Sequence, residues 1–193
     1  MLDKSIRYIG LYMRRPAGAP VAEHPLPDGY RFVFFKKGDE ADWSRIETSV
    51  LEFDSEFSAL MYFKDRFMPH ISELERRCLF IENPQGVKIA TATAWWHMVG
   101  DERRPWLHWV SVDPRCQGLG LGRALTAKVT NLMIQLDGDT DFFLHTQTWS
   151  HRAINIYIAN GYQPTDEKIL YKTRDCNCKK AIKLLKKKNL LRI

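Results

Sequence analysis

The sequence predicts a mixed α/β fold in which a mostly antiparallel central sheet is flanked by helices. Three observations predict it. Residues 107–125 run from an apolar strand through a glycine-rich turn into a helix. Residues 78–81 and 88–95, separated by Glu82-Asn-Pro-Gln-Gly86, have the pattern and turn chemistry of a hairpin. Helical stretches then alternate with short apolar runs over most of the remaining chain. At 193 residues and 45% hydrophobic composition, the chain can bury the core of one domain.

Taken in order, residues 7–13 read as a strand, and a Pro/Gly-rich connector over 16–29 follows it. Residues 30–35, Tyr-Arg-Phe-Val-Phe-Phe, form the next strand, and Lys37-Gly-Asp39 turns it into a helix over 40–52. A second helix is expected over 57–75, with Asp54 or Ser55 as its cap. The hairpin then leads into a strand over 106–112, a helix after Gly122, a strand over 142–148 and a helix from His151. The last fifteen residues concentrate Lys179, Lys180, Lys183, Lys186, Lys187, Lys188 and Arg192, with apolar residues at 181, 182, 184 and 185 between them. That spacing predicts a basic amphipathic helix laying Ile182 and Leu185 on the domain. The expected organisation is one domain over 1–175 with a basic helical tail over 176–193.

The net charge of +6 resides mostly in that tail, which could touch nucleic acid, a membrane surface or a partner; because basic tails are common without specific partners, the solvated helix is preferred and nucleic acid disfavoured. No apolar run is long enough to cross a bilayer and no apolar leader opens the chain, so a cytoplasmic location is expected. Cys78, Cys116, Cys176 and Cys178 include no CxxC pair, which gives neither a disulfide framework nor zinc spacing. No metal is called. Cys176-Asn-Cys178 reads as reduced thiols ahead of the tail, with a weaker metal or redox alternative.

Glycines at 118, 120 and 122, followed by the free N–H groups of a first helical turn, suit an anion such as a pyrophosphate. A nucleoside-triphosphate loop requires Lys-[Ser/Thr] after the last glycine, and Arg123-Ala124 stands there. A Rossmann fingerprint requires G-x-G-x-x-G and a carboxylate ending the next strand; the spacing here is Gly118-x-Gly120-x-Gly122, and the strand over 142–148 ends without an acid. Gln117-x-x-Gly120-x-Gly122, preceded by Val110-Ser-Val-Asp-Pro114, resembles the acyl-coenzyme A motif of the GNAT-type N-acetyltransferase superfamily. Downstream, residues 151–164 resemble that family's other signature, a helix carrying Tyr157 four residues before Gly161-Tyr162. The resemblance is best over 106–162.

The resemblance implies a GNAT-like fold, acetyl-CoA as co-substrate and a strand ending at Val112 that splays from its neighbour. It implies that backbone groups over Val110, Ser111 and Val112 hold the pantetheine amides, with Asn155 helping. Amides of Gln117, Gly118, Leu119, Gly120, Leu121, Gly122 and Arg123 would receive the pyrophosphate. Tyr157 would protonate the departing thiolate, a role that suits a phenol still protonated at neutral pH; core packing is its alternative. Many relatives carry a glutamate near the start of the motif strand, and Trp106 stands there. His108, placed by the period of two on one face with Trp106 and Val110, is the candidate base, against the alternative of a packed histidine. Glu52, Trp95 and Trp106 are candidates for the acceptor pocket. The implied function is direct transfer of the acetyl group of acetyl-CoA to a primary amine, small-molecule or peptide, without a metal or covalent intermediate. The alternative is a catalytically weak CoA-binding sensor or interaction module. A homodimer stays open.

Overall fold

The computed structural model describes residues 2–167 and 176–191. Its centre is a seven-stranded sheet of β1 (Gly10–Arg15), β2 (Arg31–Phe34), β3 (Cys78–Glu82), β4 (Lys88–Val99), β5 (Glu102–Val112), β6 (Phe142–Gln147) and β7 (Gln163–Thr165). The order across the sheet is β2-β3-β4-β5-β6-β1-β7. Every pairing is antiparallel except β5 with β6, which share the single register point Trp106↔Phe143. Beyond that point the two strands part.

Alternation along the strands sends side chains to two faces. Leu11, Met13, Leu79, Ile81, Phe142 and Leu144 join one core, with α4 (Leu121–Asp137) and α6 (Cys178–Lys187) packed over it. Phe80, Cys78, Trp95 and Phe35 join the other, under α1 (Glu40–Ser49), α2 (Glu56–Arg66) and α3 (Ile71–Arg77). α5 (His151–Ala159) contributes Ile154 and Tyr157 to the first core.

Several elements depart from expectation. The first strand begins three residues late, at Gly10. The helix expected over 57–75 is two helices separated by a 3₁₀ turn at Met68–His70, because Pro69 has no N–H to continue the ladder. Its cap is Ser55, whose hydroxyl accepts from the Ser58 N–H. α6 is capped by Asn177 and buries Ala181 and Leu185 completely, with Ile182 and Leu184 packed alongside. The connector over 16–29 carries no strand or helix. The buried guanidinium of Arg15 reaches the Ala19 carbonyl and Asp139, and Asp139 also accepts from the Gly18 N–H.

The largest local departure is a β-bulge. Thr91 faces Ser111 while Thr93 faces His108, so two residues of β5 oppose one of β4, and Trp109 takes a φ of 52°. The bulge reverses the alternation. Trp106 and His108 share the α1 face, but Val110 and Val112 turn to the α4 face and Ser111 takes the α1 side. Val110 therefore does not share a face with His108, contrary to the unbroken period of two.

Candidate active site

The glycine-rich turn is held from behind. Asp113, almost fully buried, donates its N–H to the Ile89 carbonyl and accepts from the Arg115 N–H and guanidinium, which keeps its carboxyl below the usual range. A 3₁₀ turn at Pro114–Cys116 then leads to Gly118 and Gly120, with φ of 89° and 80°. These left-handed values favour glycine. Gly120 caps α4 with no side-chain bond, and among the described residues the N–H groups of Gly118 to Gly122 have no acceptor. A run of unpaired amides at the positive end of a seventeen-residue helix fits a pyrophosphate. Gly122 has another role: a Cβ there would lie 3.3 Å from Ile156 and 3.7 Å from Val112, so its absence lets α4 close on α5 and β5. Leu121 is buried in the first core, and Leu119 and Arg123 are exposed.

Because the Asp113 N–H faces β4, alternation turns the Val112 backbone toward the parted side, where β6 should have been. The Gln117 side chain donates to the Val112 carbonyl at 3.1 Å. Asn155 donates to the His151 carbonyl of its own helix and to the Leu190 carbonyl beyond α6. Asn155 thereby ties α5 to the C-terminal segment.

Between the parted strands lies a cavity of about 310 Å³. Its lining brings Val110, Ser111, Thr146, Gln147, Ser150, Ala153 and Tyr157 together with the rings of Tyr12, Tyr62, His97, Trp106, His108 and Trp109. Glu47 and Glu52 also line it. Of the residues singled out from sequence, the fold brings Tyr157, His108, Val110, Ser111, Trp106 and Glu52 together here. Trp95 is elsewhere, stacked on Trp96 at 4.1 Å and edge-on to Phe67 in the second core.

Glu47 is the residue that sequence reasoning missed. It lies on the buried face of α1 with Trp43 and Ile46 and is itself fully buried. One carboxyl oxygen accepts from the Ser111 hydroxyl at 2.9 Å, and the other has no partner. Burial raises its pKa well above 4.5, with Glu52 adding in the same direction and Ser111 opposing. The signal was a glutamate at a core position of an amphipathic helix.

The histidines behave differently. Nε2 of His108 lies 2.9 Å from Nε2 of His97, one donating to the other. Burial, then the neighbouring His97, pushes His108 down to about 3. Burial also lowers His97, and His145, whose ring keeps an edge toward solvent, shifts the same way. These rings are neutral at pH 7, and His108 is a feeble base. The Tyr157 hydroxyl has no hydrogen-bond partner among the described residues, and burial, then Glu52, raises its pKa. It keeps its proton. No group of three or more His, Cys, Asp or Glu side chains among the described residues has metal-binding geometry. Nor is any described helix long and apolar enough to cross a membrane.

A glycine cradle at a helix start thus lies beside a cleft between parted parallel strands that a buried tyrosine borders. The model of the acetyltransferase (GNAT) family matches residues 42–162, and the chain belongs to that family. No curated protein matches the sequence significantly. Among solved structures, a GCN5-related N-acetyltransferase from Sphaerobacter thermophilus aligns with TM-score 0.63 and 18% identity, over 82% of this chain and 50% of that one. A GNAT-family acetyltransferase from Colwellia psychrerythraea aligns at 0.62 and 11%, over 83% and 55%. An acetyltransferase from Clostridium acetobutylicum, described with acetyl-CoA, aligns at 0.55 and 16%, over 74% and 94%. At these identities the likeness establishes the fold. The chain spans about half the length of the first two.

Proposed function

We propose that this protein is an N-acetyltransferase that moves the acetyl group of acetyl-CoA directly to a primary amine. The observation that carries this reading is the placement of a base and an acid in one cavity beside an anion cradle: Glu47 with an unpartnered oxygen, and Tyr157 with an unpartnered hydroxyl. The residues fit the co-substrate. The amides of Gly118 to Gly122 would hold the pyrophosphate, and the parted edge of β5 at Val110 and Val112 would hold the pantetheine arm. The Val112 carbonyl is already engaged by Gln117, which leaves its N–H for that purpose. Bound there, acetyl-CoA supplies a thioester carbonyl for attack.

The residues of the chain do the rest. A primary amine near pKa 10 enters as ammonium and must lose a proton before it can attack. Glu47 accepts that proton; burial has raised its proton affinity toward the working pH, so the transfer is less uphill than to an exposed carboxylate. Tyr157 holds a proton for the departing sulfur and regains one afterwards. His108 contributes as a neutral wall and not as the base.

The test is calorimetric titration with acetyl-CoA followed, in the same sample, by thiol release against a panel of amines. Binding with amine-dependent release supports the transferase. Binding without release from any amine supports the CoA-binding sensor instead, and absence of binding overturns the cradle.

A further inference from the structure

The lining of the cavity has an unusual composition. Besides Tyr157 it carries the rings of Tyr12, Tyr62, Trp106 and Trp109, together with His97, His108 and His145. Trp106 meets Tyr12 and His97 nearly at right angles, at 6.1 and 4.8 Å between centroids, and Tyr62 meets Trp109 at 5.3 Å. Of the side chains that line the cavity none is Lys or Arg, and the carboxylates are Glu47 and Glu52. The fully buried acid of this lining, Glu47, comes from α1.

Resting on the transferase reading, we infer that the acceptor is a small primary amine carried on an aromatic ring, an arylalkylamine, with its ring among Tyr12, Tyr62, Trp106 and Trp109 and its ammonium at the unpartnered oxygen of Glu47. The whole cavity, the part beside Val110 and Tyr157 included, measures about 310 Å³, at the low end of the roughly 300–1,000 Å³ typical of ligand pockets, so an acceptor that shares it with a thioester is a small molecule. Rings contact rings favourably beyond the area they bury, and a cation over an aromatic face gains further. A polyamine requires acids spaced along its length, whereas Glu47 and Glu52 are close enough to repel each other's charge. An amino sugar requires polar partners around its ring, yet His97 and His108 spend their facing nitrogens on each other.

The experiment compares 2-phenylethylamine and tryptamine with butylamine, spermidine, glucosamine and a lysine peptide. Each is followed by thiol release with acetyl-CoA, and its binding is read independently by calorimetric titration in the absence of acetyl-CoA. The arylalkylamines are expected to exceed butylamine by about tenfold in kcat/KM. Tyr62→Leu, checked for folding by circular dichroism, is expected to shrink that ratio. Preferred turnover of spermidine, glucosamine or the peptide overturns the aromatic acceptor and leaves the transferase standing. Saturable binding of arylalkylamines alone, with no thiol release from any amine, upholds the ligand class and overturns the transferase. Neither binding nor release overturns both.

Discussion

Glu47 holds a place that an amphipathic helix ordinarily fills with an apolar side chain, and its burial has consequences for both stability and chemistry. Its native pKa lies above the ordinary 4.5, so above that pH the folded state binds a proton that the unfolded chain releases. Stability therefore falls as pH rises from about 4.5 until the native pKa is passed. Glu47→Gln removes this dependence while retaining an oxygen for the Ser111 hydroxyl. The variant is expected to gain unfolding free energy relative to the parent at pH 8 more than at pH 5, measured by urea denaturation, and to lose thiol release. An equal difference at the two pH values would contradict a raised pKa. Tyr157→Phe removes one oxygen from a site where packing is otherwise kept. Turnover should drop about 100-fold or more, the scale of a lost general acid, with acetyl-CoA affinity nearly unchanged in calorimetry. Unaltered turnover would reduce Tyr157 to packing against Tyr162, its neighbour at 6.1 Å.

The cradle and the bulge show what an element adds to its residues. Gly120 is both the αL cap of α4 and the centre of the unpaired amides, so Gly120→Ala strains the backbone at φ 80° although no atom within 4 Å opposes the new methyl. Acetyl-CoA binding should weaken about tenfold by calorimetry, with little loss of helicity by circular dichroism. An unchanged affinity would place the pyrophosphate elsewhere. This element was legible because strand, glycine turn and helix are contiguous in sequence and each leaves a local pattern. The bulge at Trp109 was not, for it depends on pairing with β4 and leaves no mark on the period of Trp106, His108 and Val110. The division of the second helix was legible in principle, since Pro69 lies in its middle. At the C-terminus the amphipathic pattern of α6 was visible, but its depth was not: Leu185 is completely buried and the carbonyl of Leu190 engages Asn155 on α5. Leu185→Ala should cost roughly 2–5 kcal/mol in chemical denaturation. A loss near zero would mean that α6 is dispensable to the core.

On the scale of the whole molecule, the cradle lies within one stretch of chain, whereas the cavity is assembled from Tyr12 on β1, Glu47 on α1, Tyr62 on α2, His97 on β4, Trp106 on β5, His145 on β6 and Tyr157 on α5. No short-range pattern encodes that convergence, which explains why the turn of the glycines and the helix of Tyr157 were readable while the burial of Glu47 and the pairing of the histidines emerged only with the fold. Under the proposed direct transfer, the same convergence implies a kinetic order. Glu47 and Tyr157 line one cavity, so amine and thioester would have to be present together for the two to act on one reaction. Direct transfer then requires a ternary complex, and double-reciprocal plots at several fixed amine concentrations should intersect. The fold holds one group that could support the opposite scheme. The Cys176 sulfur lies 3.3 Å from Nε2 of His145, a ring at the cavity wall, and a thiol beside an imidazole is a potential acyl carrier. Parallel lines, abolished in Cys176→Ser, would establish an acyl-enzyme and overturn direct transfer. Intersecting lines that Cys176→Ser leaves unchanged would show that the amine attacks the thioester itself, with the cysteine outside the reaction.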